Sequence, residues 1–147
     1  MTATVAVVLG LTLVTVTVTD LRRRVIPNRV ILGAGLLGLA LALVEGPGPL
    51  ASAVASAALV SGPLFVAALI RPEGMGMGDV KLVALIGLLM GWQAWPAVLI
   101  GLGLGGLAGA LYSLGTGRPP SQTVLPLAPF LALGTLPAML SSVQLLQ

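Results

Sequence analysis

The acids of this chain are four carboxylates: Asp20, Glu45, Glu73 and Asp79. Its 147 residues include no histidine and no cysteine. That removes imidazole bases, thiolate nucleophiles, disulfides and cysteine-ligated zinc. What remains for hydrolysis is a pair of carboxylates. Two that come close cannot both ionise cheaply, so they share a proton. The ionised member can take a proton from a water as that water attacks a carbonyl carbon. The protonated member can donate to the carbonyl oxygen. A serine–lysine dyad, Lys81 with a membrane serine such as Ser61 or Ser113, is the other hydrolytic device available. No spacing favours it.

Setting two acids side by side needs elements to hold them, and composition says of what kind. The chain is 57% hydrophobic and 7% charged, with 20 glycines and 11 prolines. Its mean hydropathy is +1.11. Soluble domains carry about 25% charged residues to wet their surface. Here the apolar runs approach the roughly 20 residues that a bilayer crossing takes. Membrane helices also tolerate glycine and proline. An all-α, polytopic membrane protein is implied, with residues 1–147 as a single membrane-embedded domain. The N-terminal stretch lacks a basic region before Thr4 and a small-x-small site ahead of Asp20. It reads as the first span rather than as a cleaved signal.

Charges and turn residues cut the chain into six apolar segments. They run from about Thr4 to Thr19, from after Pro27-Asn28 to Val44, from Leu50 to Ile70, from Asp79 to about Trp92, from Pro96 to Leu114, and from Val124 to about Leu140. Glu45-Gly46-Pro47-Gly48-Pro49 makes one turn. Trp92 and Trp95 suit a membrane interface. In the first segment Thr15, Thr17 and Thr19 alternate with apolar residues, a strand-like pattern. A lone strand cannot satisfy its backbone in lipid, whereas threonine hydroxyls can bond back to helix carbonyls. A helix is therefore expected. Gly101, Gly105 and Gly109 share a helix face and suit close helix packing.

Six spans leave loops on alternating faces. One face receives all 7 basic residues: Arg22, Arg23, Arg24, Arg29, Arg71, Lys81 and Arg118. The other carries only Glu45. By the positive-inside rule the basic face is cytoplasmic. Asp20 closes segment one and Asp79 opens segment four, so two spans separate them and both fall on the same face. Bland readings exist for each: Asp20 as an edge charge pairing with its arginines, Asp79 as a helix N-cap, Glu73 as a solvated loop acid. Lys81 lies roughly 200° round the helix from Asp79. It is expected to face away and reach for the headgroups. Against the blandest reading stands Gly74-Met75-Gly76-Met77-Gly78, directly before an acid at the membrane edge. Glycines there let a peptide backbone approach that acid.

These residues carry a resemblance. Glu73-Gly74-Met75-Gly76-Met77-Gly78-Asp79-Val80-Lys81-Leu82 resembles the GxGD signature of type IV prepilin peptidases. Asp20, with Ile26-Pro27-Asn28 after it, is similar to the family's first aspartate and its Pro-Asn. Leu125-Pro126-Leu127-Ala128-Pro129-Phe130 resembles its proline-containing last helix. The resemblance implies a cofactor- and metal-free aspartyl endopeptidase of the bacterial inner membrane. It would cut the basic leader from prepilins on the cytoplasmic side, typically after a glycine. Asp20 and Asp79 would be the catalytic pair, Gly76 and Gly78 would shape the substrate loop, and Glu73 and Lys81 would lie beside it. The partners implied are the prepilin leader and the lipid bilayer, with no nucleic acid.

Two departures stand out. Larger family members carry an N-terminal extension with a cysteine-rich zinc loop and also N-methylate the mature pilin. Neither extension nor cysteine is seen here, so cleavage alone is expected, as in the short peptidases of Tad/Flp pilus systems. Many relatives also place a second acid two residues after the first aspartate, where this chain has Arg22. Presenilin-like proteases pair GxGD with a Tyr-Asp motif, but Tyr112 is far from Asp20. A small proton-coupled transporter using Asp20 and Asp79 is the alternative of a different class. It would hold its acids nearer mid-membrane and show an internal repeat.

Overall fold

The computed structural model describes residues 2–70, 76–116 and 126–144. Those residues are helical, with no strand among them. Six α-helices follow one another: α1 (Ala3–Arg23), α2 (Asn28–Glu45), α3 (Pro47–Ile70), α4 (Met77–Met90), α5 (Ala94–Thr116) and α6 (Ala128–Gln144). A short 3-10 turn, Gly91–Gln93, joins α4 to α5.

Four helical stretches are long and apolar enough to cross a membrane: Ala3–Arg23, Asn28–Glu45, Pro47–Ile70 and Met77–Thr116. The last runs through α4, the turn and α5. Ala128–Ser141 is a shorter apolar helix. Large apolar side chains point outward all round, as lipid-facing helices require. Leu11, Leu32 and Leu111 are 67%, 65% and 61% exposed.

The threonines of α1 behave as lipid demands. Thr12 donates to the Val8 carbonyl at 2.7 Å and Thr15 to that of Leu11 at 2.8 Å. Thr19 donates to Thr15 at 3.0 Å and Val16 at 2.9 Å. These three hydroxyls are absorbed by the preceding turn, while that of Thr17 is buried without a partner among the described residues, so alternation does not enforce a strand. Helix ends follow local chemistry too. Gly46 breaks α2 from α3 at φ 122, and Pro47 opens α3 where its missing N–H costs nothing. Gly91 turns α4 toward α5 at φ 58.

Small residues set the closest packing. A Cβ on Gly87 of α4 would lie 2.8 Å from the Ala57 Cα of α3. A Cβ on Gly101 of α5 would lie 2.8 Å from the Leu131 Cα of α6. One on Gly105 would meet Leu127. The glycines of α5 thus seat α6, as their spacing suggests. The core around them is formed by Leu9, Val16, Leu82, Val83, Ile86 and Leu131, all fully buried.

Candidate active site

Asp20 is not the residue that closes α1. The helix continues to Arg23, and Arg24 stops it in the left-handed region at φ 51, its N–H donating to the Asp20 carbonyl at 2.9 Å. Asp20 therefore sits in the last helical turn, turned inward and only 6% exposed. That burial does not fit a mere edge charge. Its Oδ2 accepts the backbone N–H of Ala128 at 3.2 Å. Ala128 is the first residue of α6, where the N–H has no partner within the helix. The Asp20 carboxylate supplies one.

Asp79 does not cap α4 either. The helix opens at Met77 with Gly76 as its N-cap, which places Asp79 in the first turn. The Asp79 N–H donates to the Gly76 carbonyl at 3.0 Å. Gly78, expected in a loop, is already helical. A Cβ there would come within 3.2 Å of the Ile26 Cβ, and one on Gly76 within 3.2 Å of Asp79 Oδ2. Both glycines let the start of α4 press against the α1–α2 connection and its own carboxylate. Glu73 lies outside the described residues.

The two aspartates line one cleft of about 400 Å³. Arg24, Ile26, Asn28, Gly76, Gly78 and Lys81 also line it, with Pro126 and Leu127 from the approach to α6. Their carboxylates are near enough for their charges to interact. Glu45 is elsewhere. With Val5, Pro49 and Met90 it lines a cavity at the opposite end of the helices. The end of α1 and the starts of α2 and α4 thus share one end, as alternating helices require.

Lys81 departs from its expected direction. It is exposed, but it lines the same cleft as Asp79, and its Nζ donates to Asn28 Oδ1 at 3.1 Å. The cleft wraps over the end of α4, so angular offset around the axis does not separate residues there. A long flexible side chain spans the remainder toward α2. Reasoning from sequence missed Ala128. Its contribution is a backbone N–H, which leaves no residue-type signal.

Known proteins bear on this arrangement. Residues 7–114 match the type IV leader peptidase family, a stretch that includes both aspartates. The chain belongs to that family. Relatives named prepilin leader peptidase/N-methyltransferase are similar to it. That of Aeromonas salmonicida (strain A449) is 36% identical over 136 residues, covering 87% of this chain and 46% of the relative. That of Escherichia coli (strain K12) is 34% identical over 127 residues, covering 83% and 56%. That of Burkholderia pseudomallei (strain K96243) is 42% identical over 62 residues, covering 42% and 20%. The chain thus spans about half the length of the first of these, or less than two thirds of any of them. No solved structure matches it. Family membership and four membrane-long apolar stretches make it a multi-pass membrane protein of the leader-peptidase kind.

Proposed function

We propose that this chain is an aspartyl endopeptidase that removes the basic leader of prepilin-type proteins. The observation that carries the reading is the shared cleft: Asp20 and Asp79, from helices two spans apart, line one cavity in a type IV leader peptidase. In the reaction a water held between the carboxyls attacks the scissile carbonyl carbon. The ionised aspartate takes the water's proton while the other donates to the carbonyl oxygen. The tetrahedral intermediate then collapses, the C–N bond breaks, and the nitrogen leaves with a proton returned by the pair. Nothing in these steps calls for a metal or an organic cofactor. Gly76 and Gly78 keep the cleft wall low enough for a substrate backbone. Lys81 belongs to its rim. Methyl transfer, the second half of the relatives' name, is not assigned to this cleft.

The reading includes a topology. A stretch of 40 residues, Met77–Thr116, bent at Gly91, is long enough for two crossings of a hydrocarbon core about 30 Å thick. With α6 this gives six spans in a single domain of the bacterial inner membrane. Arg22, Arg23, Arg24, Arg29 and Lys81 gather at the cleft end and Glu45 at the other. By the positive-inside rule the cleft faces the cytoplasm. A basic leader meets a basic face there, so anionic lipid and the two aspartates must supply the attraction.

The test is a leader-cleavage assay on a co-expressed prepilin, with wild type compared to Asp20→Asn and Asp79→Asn at matched membrane levels. Wild type should shorten the prepilin. Each variant should lose at least the ~10²–10⁴-fold that a positioned acid–base group supplies. Cleavage by either variant at wild-type rate would falsify the two-aspartate mechanism.

A further inference from the structure

The cleft adjoins a second, larger cavity with which it shares lining residues. A groove of about 570 Å³ runs between α2 and α4, with Ala57 of α3 in its floor. Ile31, Leu32, Leu36 and Leu39 form one wall, and Ala84, Leu85 and Leu88 the other. Asn28 and Lys81 line both the groove and the aspartate cleft. Their hydrogen bond at 3.1 Å marks the threshold between the two.

Another apolar groove of about 400 Å³ lies between α1 and α6, along Leu13, Val14, Leu133 and Leu136. No residue lining it lines the aspartate cleft. Lipid-facing hollows are thus present on two sides of the helices, and of the two the α2/α4 groove shares lining residues with the aspartate cleft.

We propose that the α2/α4 groove is the docking track for an apolar helical segment of the substrate, next in sequence to the bond that is cut. This rests on the peptidase reading and adds where the substrate lies. From Asn28 to Leu39 the track is about 16 Å long at 1.5 Å per residue. That is about three helical turns, or half the hydrocarbon thickness. Gly35 and Ala57 keep its floor shallow, and small residues are what let a second helix backbone come close in lipid. At the threshold the helix must end. The cleft's walls turn polar there, and a protease needs an extended backbone at the attacked carbonyl. A chain lying in the groove therefore delivers its scissile bond past Lys81 and Asn28 to Asp20 and Asp79. The track sorts substrates by hydrophobicity, while the cleft reads the residues at the cut.

The absence of cysteine from the sequence makes the test clean, since any introduced thiol is unique. Leu36, 60% exposed on the α2/α4 groove, and Val14, 64% exposed on the α1/α6 groove, are equally open to lipid. Leu36→Cys and Val14→Cys are each placed in an Asp79→Asn background that holds substrate uncut. The probe is a prepilin-type chain with a basic leader, a glycine before the scissile bond and an apolar helix carrying one cysteine. Copper phenanthroline oxidises adjacent thiol pairs to disulfides in the membrane, and the product is read on a non-reducing gel. Leu36→Cys should give at least tenfold more cross-linked product than Val14→Cys. Equal or greater product at Val14→Cys overturns the proposal. So does cross-linking at neither position when wild type cuts the same probe, which assigns the groove to lipid chains. Failure of wild type to cut the probe is the separate result that removes the peptidase reading, and the track with it.

Discussion

The backbone N–H of Ala128 donates to Oδ2 of Asp20 at 3.2 Å, joining the last described helix to the first across 108 positions of sequence. One catalytic candidate is thus oriented by a main-chain group. The other, Asp79, sits in the first turn of α4, its own N–H on the Gly76 carbonyl.

A main-chain donor can be deleted only by proline. Ala128 opens α6, the helix position that best accepts one. Ala128→Pro should therefore keep the helix and lose the donor. A hydrogen bond to a charged group contributes about 1.5–3 kcal/mol, equivalent to a fall in kcat of about 10- to 100-fold. Ala128→Gly retains the N–H and should stay within a few-fold of wild type. Cleavage rates at saturating substrate, with thermal unfolding as a control on the fold, decide the matter. A proline variant that unfolds at the same temperature and cuts at the wild-type rate would leave the bond without a role.

Gly78 touches Ile26 through space that a methyl group would fill. Gly78→Ala puts a Cβ 3.2 Å from the Ile26 Cβ, so the α1–α2 connection must shift by a few tenths of an ångström. Overpacking of this kind costs about 1–3 kcal/mol. Because the contact lies in the cleft wall, cleavage should fall by about tenfold or more. Gly33→Ala, where nothing lies within 4 Å, is the matched control and should be silent. Parallel activity in the two variants would count against a tight wall.

The seat of α6 is tested at Gly134. A Cβ there would collide with the Ala97 carbonyl and the Gly101 backbone of α5. Gly134→Ala is expected to lower the unfolding temperature and, by displacing α6, to reduce cleavage too. Gly103→Ala meets open space and removes a helix-interior glycine. It should raise stability by about 0.5–1 kcal/mol. Thermal unfolding in one detergent compares them directly.

Ser56 is fully buried in α3, and its hydroxyl lacks a hydrogen-bond partner among the described residues. An unsatisfied buried hydroxyl costs about 1–3 kcal/mol. Ser56→Ala should then stabilise the protein with cleavage unchanged, since Ser56 lines neither the cleft nor the α2/α4 groove. A lower unfolding temperature would reveal a hidden partner.

Helices were legible in the sequence because apolar runs between charges leave few alternatives in lipid, and each observed helix overlaps its expected segment. The pairing of Asp20 with Asp79 at one end was legible too, because it follows from counting crossings rather than from contacts. Finer features were not. Gly76 and Gly78 read as loop because alternating glycines suggest one, yet helix bonding begins between them, at Met77. Lys81 was placed by its angle on an infinite helix, which fails at a helix end. Span length was the weakest inference. Met77–Thr116 is one continuous apolar stretch, and its division into α4 and α5 comes from the positive φ of Gly91 and the 3-10 turn Gly91–Gln93.

The Asp20–Ala128 bond also has a consequence in time. Ribosomes deliver helices to the membrane in order, and α6 follows every other helix described here. Until α6 has been made and has docked on the α5 glycines, Asp20 lacks its amide donor and the cleft lacks the wall formed by Pro126 and Leu127. The surroundings of Asp20 are thereby completed last, by the final helix described, rather than as α1 itself is made.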